Sequence, residues 1–263
     1  MDFSMMQLVD LLVIGLIAGS VVGLTGASGV VVVVPLLTMW VGFSMHAAIG
    51  TSLFVDVLTP LFVAYSYYKN GNINFKTGVW LAVGSVIGAQ IGALFANNAL
   101  SSHQMGTGFV VMMFVMAVGM WRKSSMPAKP KVESETVQPV TLKTIAMSVG
   151  IGLVLGIVSG LFGAGGGMAF LIVLIVVLKY STHKAIGTSS LIMALTAASG
   201  TIGYAAHGNV NFASGALVAA GSILGGFLTA RLANRVSEQT LEKLISGVFV
   251  CLGVMMIITT NVH

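Results

Sequence analysis

The sequence predicts an all-α polytopic membrane protein built as two inverted-topology repeats of about five hydrophobic segments each. Three observations predict it. The chain is 56% hydrophobic and 7% charged, with a mean hydropathy of +1.00, whereas soluble domains carry about 25% charged residues. Residues 19–88 align without a gap to residues 156–225, 137 positions later, with 27 of 70 positions identical. All twelve Lys and Arg fall on one side of the barrier when the apolar blocks are made to alternate.

The first repeat, residues 1–121, has apolar blocks near 5–23, 30–42, 47–68, 78–98 and 104–121. The second, residues 143–263, has them near 145–162, 168–178, 185–206, 214–233 and 244–260. Most are long enough, at about 1.5 Å per residue, to cross a ~30 Å hydrocarbon layer. Long unbroken blocks exclude an outer-membrane barrel, which needs short alternating strands. The first block has no Lys or Arg before it and no convincing cleavage site, so it is expected to stay as a helix. The second and seventh are too short to span, reaching roughly 17–20 Å. Each reads as a half-helix, either re-entrant with its predecessor or a short span. Between the repeats, residues 122–142 are polar and hold Pro127, Pro130 and Pro139. That composition predicts a flexible linker.

The cations set the orientation. Lys69 and Lys76 flank the third-to-fourth connection, and Arg122, Lys123, Lys129, Lys131 and Lys143 surround the linker. Lys179 and Lys184 bracket the seventh-to-eighth connection; Arg231, Arg235 and Lys243 surround the ninth-to-tenth. The positive-inside rule then places both termini outside and the linker in the cytoplasm. One repeat starts outside and the other inside, so they are expected to be inverted about an axis in the membrane plane.

The short blocks follow glycine-rich breaks, Gly23 to Gly29 and Gly160 to Gly167. Backbone that leaves a helix at membrane depth is tolerated only where protein buries it or it lines a wet cavity. A helix starting just after such a break aims free N–H groups and a positive dipole end at it, which suits an anion. Thr25, Gly26, Ala27, Ser28 and Gly29 form this candidate site in the first repeat. Gly163, Gly165, Gly166 and Gly167 form it in the second. The competing reading is close helix packing by small residues, but matched breaks in both repeats favour a site.

Other residues carry two readings each. Thr51, Ser52, Thr188 and Ser189 sit about one turn into matched long helices, where they either donate to an oxyanion or bond back to their own helix. His46 and His183 precede those helices as proton-transfer candidates or as residues of the interfacial zone. Asp56 lies about nine residues into its span, opposite Met193 in the other repeat. A buried acid defaults to a functional reading, here proton coupling. Tyr67 and Tyr204 read as interface anchors. Asn72 and Asn209 follow glycines and read as tight turns. No nucleotide-phosphate motif, nucleophile–base pair, redox dithiol or metal-ligand spacing appears, so no enzyme activity, cofactor or metal is expected. The net charge of +5 is spread along one membrane face and implies no nucleic acid.

The duplicated glycine-rich break, the Ala-Ile-Gly-Thr-Ser element some 20 residues on and the Gly-Asn-x-Asn-Phe turn resemble the TauE/SafE sulfite exporter family. The likeness covers nearly the whole chain except the linker. Members typically carry Gly-x-Gly-Gly-Gly followed by a proline. Here the second repeat keeps the glycines but has Ile172 at the proline position, and the first keeps Pro35 but reads Gly26-Ala27-Ser28-Gly29. The resemblance implies a bacterial inner-membrane carrier of sulfite, thiosulfate, a sulfonate or a similar organosulfur anion. It implies alternating access, with the lipid bilayer as the other partner. The residues alone leave open an anion channel, a scaffold docking a cytoplasmic protein through the linker, and a homo-oligomer.

Overall fold

The computed structural model describes residues 5–25, 28–69, 71–73, 75–124, 141–163, 166–233 and 238–260. All of their regular structure is helical. The helices are α1 (Met5–Thr25), α2 (Val30–Met39), α3 (Met45–Lys69), α4 (Phe75–Ala99) and α5 (Ser102–Ser124). The second set is α6 (Leu142–Phe162), α7 (Gly167–Ile172), α8 (Thr182–Ala205), α9 (Phe212–Ala233) and α10 (Glu238–Thr260). A π-helical turn, Val173–Val177, continues α7. Seven of the helices are long and apolar enough to cross a membrane; α2 is not, and the apolar stretch of α10 covers only Ser246–Ile258. Apolar side chains such as Phe62, Ile91, Phe95, Val115, Val154, Ile202 and Phe227 stay exposed. Such faces suit lipid rather than water. The expected linker lies outside the described residues from 125 to 140, and α5 runs on to Ser124.

The repeats interlock through glycine. A Cβ on Gly15 of α1 would lie 2.2 Å from the Val218 carbonyl oxygen of α9, and one on Gly221 would lie 2.4 Å from that of Leu12. Adding 137 to each α1 number and subtracting it from each α9 number gives α6 and α4. There the same packing recurs: Gly152 would meet the Leu81 oxygen at 2.3 Å, and Gly84 that of Val149 at 2.2 Å. Only helices without side chains along the seam reach such separations, where dispersion and backbone contact take over from the hydrophobic effect. So the first helix of each repeat packs, in parallel, on the fourth helix of the other.

Helices α3 and α8 hold the centre and run antiparallel. Gly50 of α3 packs against Tyr204 and the Asn209 carbonyl, while Gly187 of α8 packs against Tyr67 and the Asn72 carbonyl. Each Ala-Ile-Gly-Thr-Ser element therefore receives the Gly-Asn turn of the other repeat. The turns are tight as read and also pack on the other repeat, and the reading of Tyr204 as an interface anchor is corrected. Tyr204 is fully buried, and its hydroxyl donates to the Leu161 carbonyl at 3.2 Å.

Helix α2 is buried on all sides, with Val30 to Pro35 and Leu37 all inside. A helix whose one polar side chain, Thr38, bonds back to its own carbonyls needs such enclosure. It gets it from α1, α3 and α10. Its counterpart α7 buries Phe170 but leaves Ile172 44% exposed, and Val176 beyond it 51% exposed. The two half-helices thus sit in unequal surroundings.

Candidate functional site

The first break ends at Ser28 and Gly29. Gly29 caps the start of α2, and its carbonyl accepts from Val32 and Val33 at 3.0 and 2.9 Å. The Ser28 hydroxyl oxygen accepts the Val30 N–H at 3.3 Å. The Ser28 side chain also reaches α3, where it meets Asp56. Its carboxylate accepts a hydrogen bond from the Ser28 hydroxyl and another from the Gly29 N–H. Asp56 is 2% exposed and Ser28 7%. Taking a carboxylate out of water costs several kcal/mol. The hydrogen bonds and the positive end of α2 offset part of that cost. The helix start that the sequence offers to an anion already holds the Asp56 carboxyl group.

Sequence reading placed Asp56 in the span but could not find this partner, 28 residues away on another element. The signal lay in the polar Ser28 beside a glycine break and in an acid that the repeat does not duplicate. Thr25 is the last residue of α1, and Gly26 and Ala27 lie outside the described residues.

The second break comes close to the first. Gly163 ends α6 in a left-handed turn with φ of +70°. A Cβ there would lie 2.9 Å from Ile49 Cγ2 and 3.3 Å from both Ser52 Oγ and Val30 Cγ1. So the break of one repeat touches the first residue of α2 and the Thr-Ser element of the other. Gly166 also has positive φ, +60°, with the Phe170 ring against it, and Gly167 opens α7. Gly165 lies outside the described residues.

The hydroxyls face inward but are engaged. Thr51 Oγ1 accepts the Asn211 N–H at 3.0 Å. Ser52 donates to the Ile49 carbonyl at 2.8 Å, and Ser189 to that of Ile186 at 3.1 Å. Thr188 is buried, and its methyl would crowd a Cβ at Gly78. The i−3 bonds of Ser52 and Ser189 are local and can be exchanged for a ligand's oxygens. His46 bridges helix ends: its Nε2 lies 3.2 Å from the Ala96 carbonyl and its Nδ1 3.1 Å from Ser102 Oγ. A carbonyl only accepts, so in the neutral ring Nε2 carries the proton and Nδ1 accepts from Ser102. His183 lies in the first turn of α8. No three His, Cys, Asp or Glu cluster as metal ligands among the described residues.

A depression of about 460 Å³ opens between the α2–α3 loop, at Phe43 and Ala47, and the α8–α9 turn, from Gly208 to Ala213. Asn211 lines it and donates to Thr51, which connects this depression to the Thr-Ser element.

Apolar spans around a glycine-broken half-helix, with polar groups gathered at its buried end, are the build of a membrane transporter. The chain belongs to the sulfite exporter TauE/SafE family, whose model matches residues 11–256. It is 32% identical over 231 residues to the probable membrane transporter protein YdhB of Bacillus subtilis, covering 86% of this chain and 91% of that one. It is 27% identical to YunE of Bacillus subtilis, covering 96% and 98%. With MJ0441 of Methanocaldococcus jannaschii the identity is 25%, with 98% of each chain covered. Both carry the same description, probable membrane transporter protein. No solved structure matches the chain. The protein is a multi-pass membrane transporter and not an enzyme.

Proposed function

We propose that this protein carries a small oxyanion, most plausibly sulfite, thiosulfate or a sulfonate, across the bacterial inner membrane by alternating access. The observation that carries the reading is the carboxylate seated on the Ser28 hydroxyl and Gly29 N–H. A tetrahedral oxyanion offers the same acceptor oxygens to the same donors. Ser52 and Gly163, where the breaks meet, complete the passenger's surroundings. The family's description supports the sulfur chemistry.

The two repeats are related by inversion in this reading. Two features support it: equivalent helices α3 and α8 run antiparallel, and the Lys and Arg of the sequence fall to one side when the apolar blocks alternate. The linker is then cytoplasmic, and the depression at Asn211 is an external vestibule leading to Thr51 and Ser52. Scanning cysteine labelling in a Cys251→Ser background tests this. Ser101→Cys and Gly208→Cys are expected to react with an impermeant reagent added outside whole cells, and Gly71→Cys only after permeabilisation. Reaction of all three from outside would end the inverted reading.

Export of an anion runs with the inside-negative potential, worth about 2.3 kcal/mol per charge per 100 mV. Import opposes it and needs a co-transported proton. In this reading Asp56 carries that proton, with His46 and His183 as the candidates toward the two faces. Proteoliposomes holding this protein alone, given sulfite, thiosulfate, sulfonates or carboxylates with and without a pH gradient, test the function. Saturable uptake with counterflow is expected; unitary conductance steps would favour a channel instead. With an acid exterior, wild-type uptake should rise and Asp56→Asn uptake should stay flat.

A further inference from the structure

We infer that Asp56 is a tethered stand-in for the passenger, which occupies the start of α2 when the site is empty and must leave it for the transported anion to bind. The inference rests on the proposed anion site and adds to it a built-in competitor. Three observations converge on it. First, the start of α2 is filled by the Asp56 carboxyl group, and among the described residues its partners are a hydroxyl and an amide rather than a cation. The seat therefore recognises acceptor oxygens on one small group, which a carboxyl, sulfite or sulfonate group all present.

Second, the acid belongs to one repeat only. Its counterpart is Met193, so the second break has no resident carboxylate from that position. A structural requirement of the duplicated fold would be expected in both halves.

Third, a vacant partner lies one turn away. Thr59 is three residues along α3, on the side of the helix that carries Asp56. It is 8% exposed, and its hydroxyl has no hydrogen-bond partner among the described residues. Its counterpart Thr196 is engaged, donating to the Ile192 carbonyl at 2.7 Å and lying 2.7 Å from Ser85 Oγ. A buried hydroxyl without a partner is costly. Here it offers a second seat to the carboxylate once Asp56 leaves Ser28 and Gly29. The acid that the repeat does not duplicate and the threonine whose bonding differs from that of its counterpart thus supply both positions of one switch.

The test uses the purified full chain in detergent and reads the melting temperature against sodium formate and sodium sulfite, with sodium chloride at equal ionic strength as control. Asp56→Ala vacates the seat, so it should be stabilised by formate, which replaces the missing carboxylate, and by sulfite. The wild type should need at least about tenfold more of either anion, the scale of a charge at a partly buried helix end. A folded Asp56→Ala protein that responds to neither anion beyond chloride overturns the inference. Should that variant fail to fold, isosteric Asp56→Asn decides: tighter half-saturation by sulfite than wild type supports the stand-in, and equal or weaker binding overturns it. Thr59→Val should weaken the sulfite response in the wild type and have no effect in Asp56→Ala; a loss that persists there overturns the second seat. None of these readings needs transport, so the transport proposal can fail in liposomes while the stand-in survives, or the reverse.

Discussion

Gly88→Leu is expected to leave no folded protein, while Gly150→Leu, on the adjoining helix, leaves the protein's stability nearly unchanged. A Cβ on Gly88 would lie 2.2 Å from the Leu153 carbonyl oxygen and 2.9 Å from the Ile157 nitrogen. Both are backbone atoms of α6, so no rotamer change relieves the clash. Overpacking a core costs about 1–3 kcal/mol when side chains can shift. Here α4 must separate from α6 along the seam that also seats Gly84, Gly92, Gly152, Gly156 and Gly160. That loss approaches the whole stability of a protein, about 5–15 kcal/mol. Gly150 has nothing within 4 Å of its added Cβ, so the change there should stay within about 0.5 kcal/mol. Yield of monodisperse protein and melting temperature in one detergent check both. Equal behaviour of the two variants would show that the glycine seam does not hold the repeats together.

Gly163→Val is expected to reduce sulfite uptake to background in liposomes, scaled to the amount of folded protein. Gly42→Ala provides the control. Both glycines have left-handed backbones, with φ of +70° and +79°. An L side chain pays roughly 1–2 kcal/mol there. Gly42 has open space around it, so its variant bears that strain alone, with a lower melting temperature and normal uptake. At Gly163 the new side chain enters the gap between Ile49, Ser52 and Val30, where the two breaks meet. Wild-type uptake by Gly163→Val would place the passenger's route elsewhere.

Much of this architecture was legible in the chain itself. The short blocks after each break appear as α2, ten residues, and as the six residues of α7 with the five-residue π-turn after them. Their length shows in hydropathy because a span must match the bilayer. The candidate site was read from two matched breaks, but the contacts around them were not legible. Ser28 meets Asp56, Gly163 meets Ser52, and Gly50 meets Asn209 across 28, 111 and 159 positions. No local periodicity carries pairings at such distances. The Tyr204 anchor failed for the same reason. A tyrosine at a helix end reads as interfacial until another helix is packed around it.

The linear chain by itself determined the class of molecule, the number of helices and their doubling, because these depend on hydropathy, length and repetition, which are summed along the backbone. Tertiary packing decided that each repeat's first helix lies on the other's fourth, that α2 is enclosed while α7 is not, and that one acid sits on one helix start. The physical reason is that apolar residues at membrane depth lower the free energy almost equally against lipid or protein. Which surfaces meet is therefore settled by shape, at glycines where backbones can touch, and by the few polar groups that must find partners out of water.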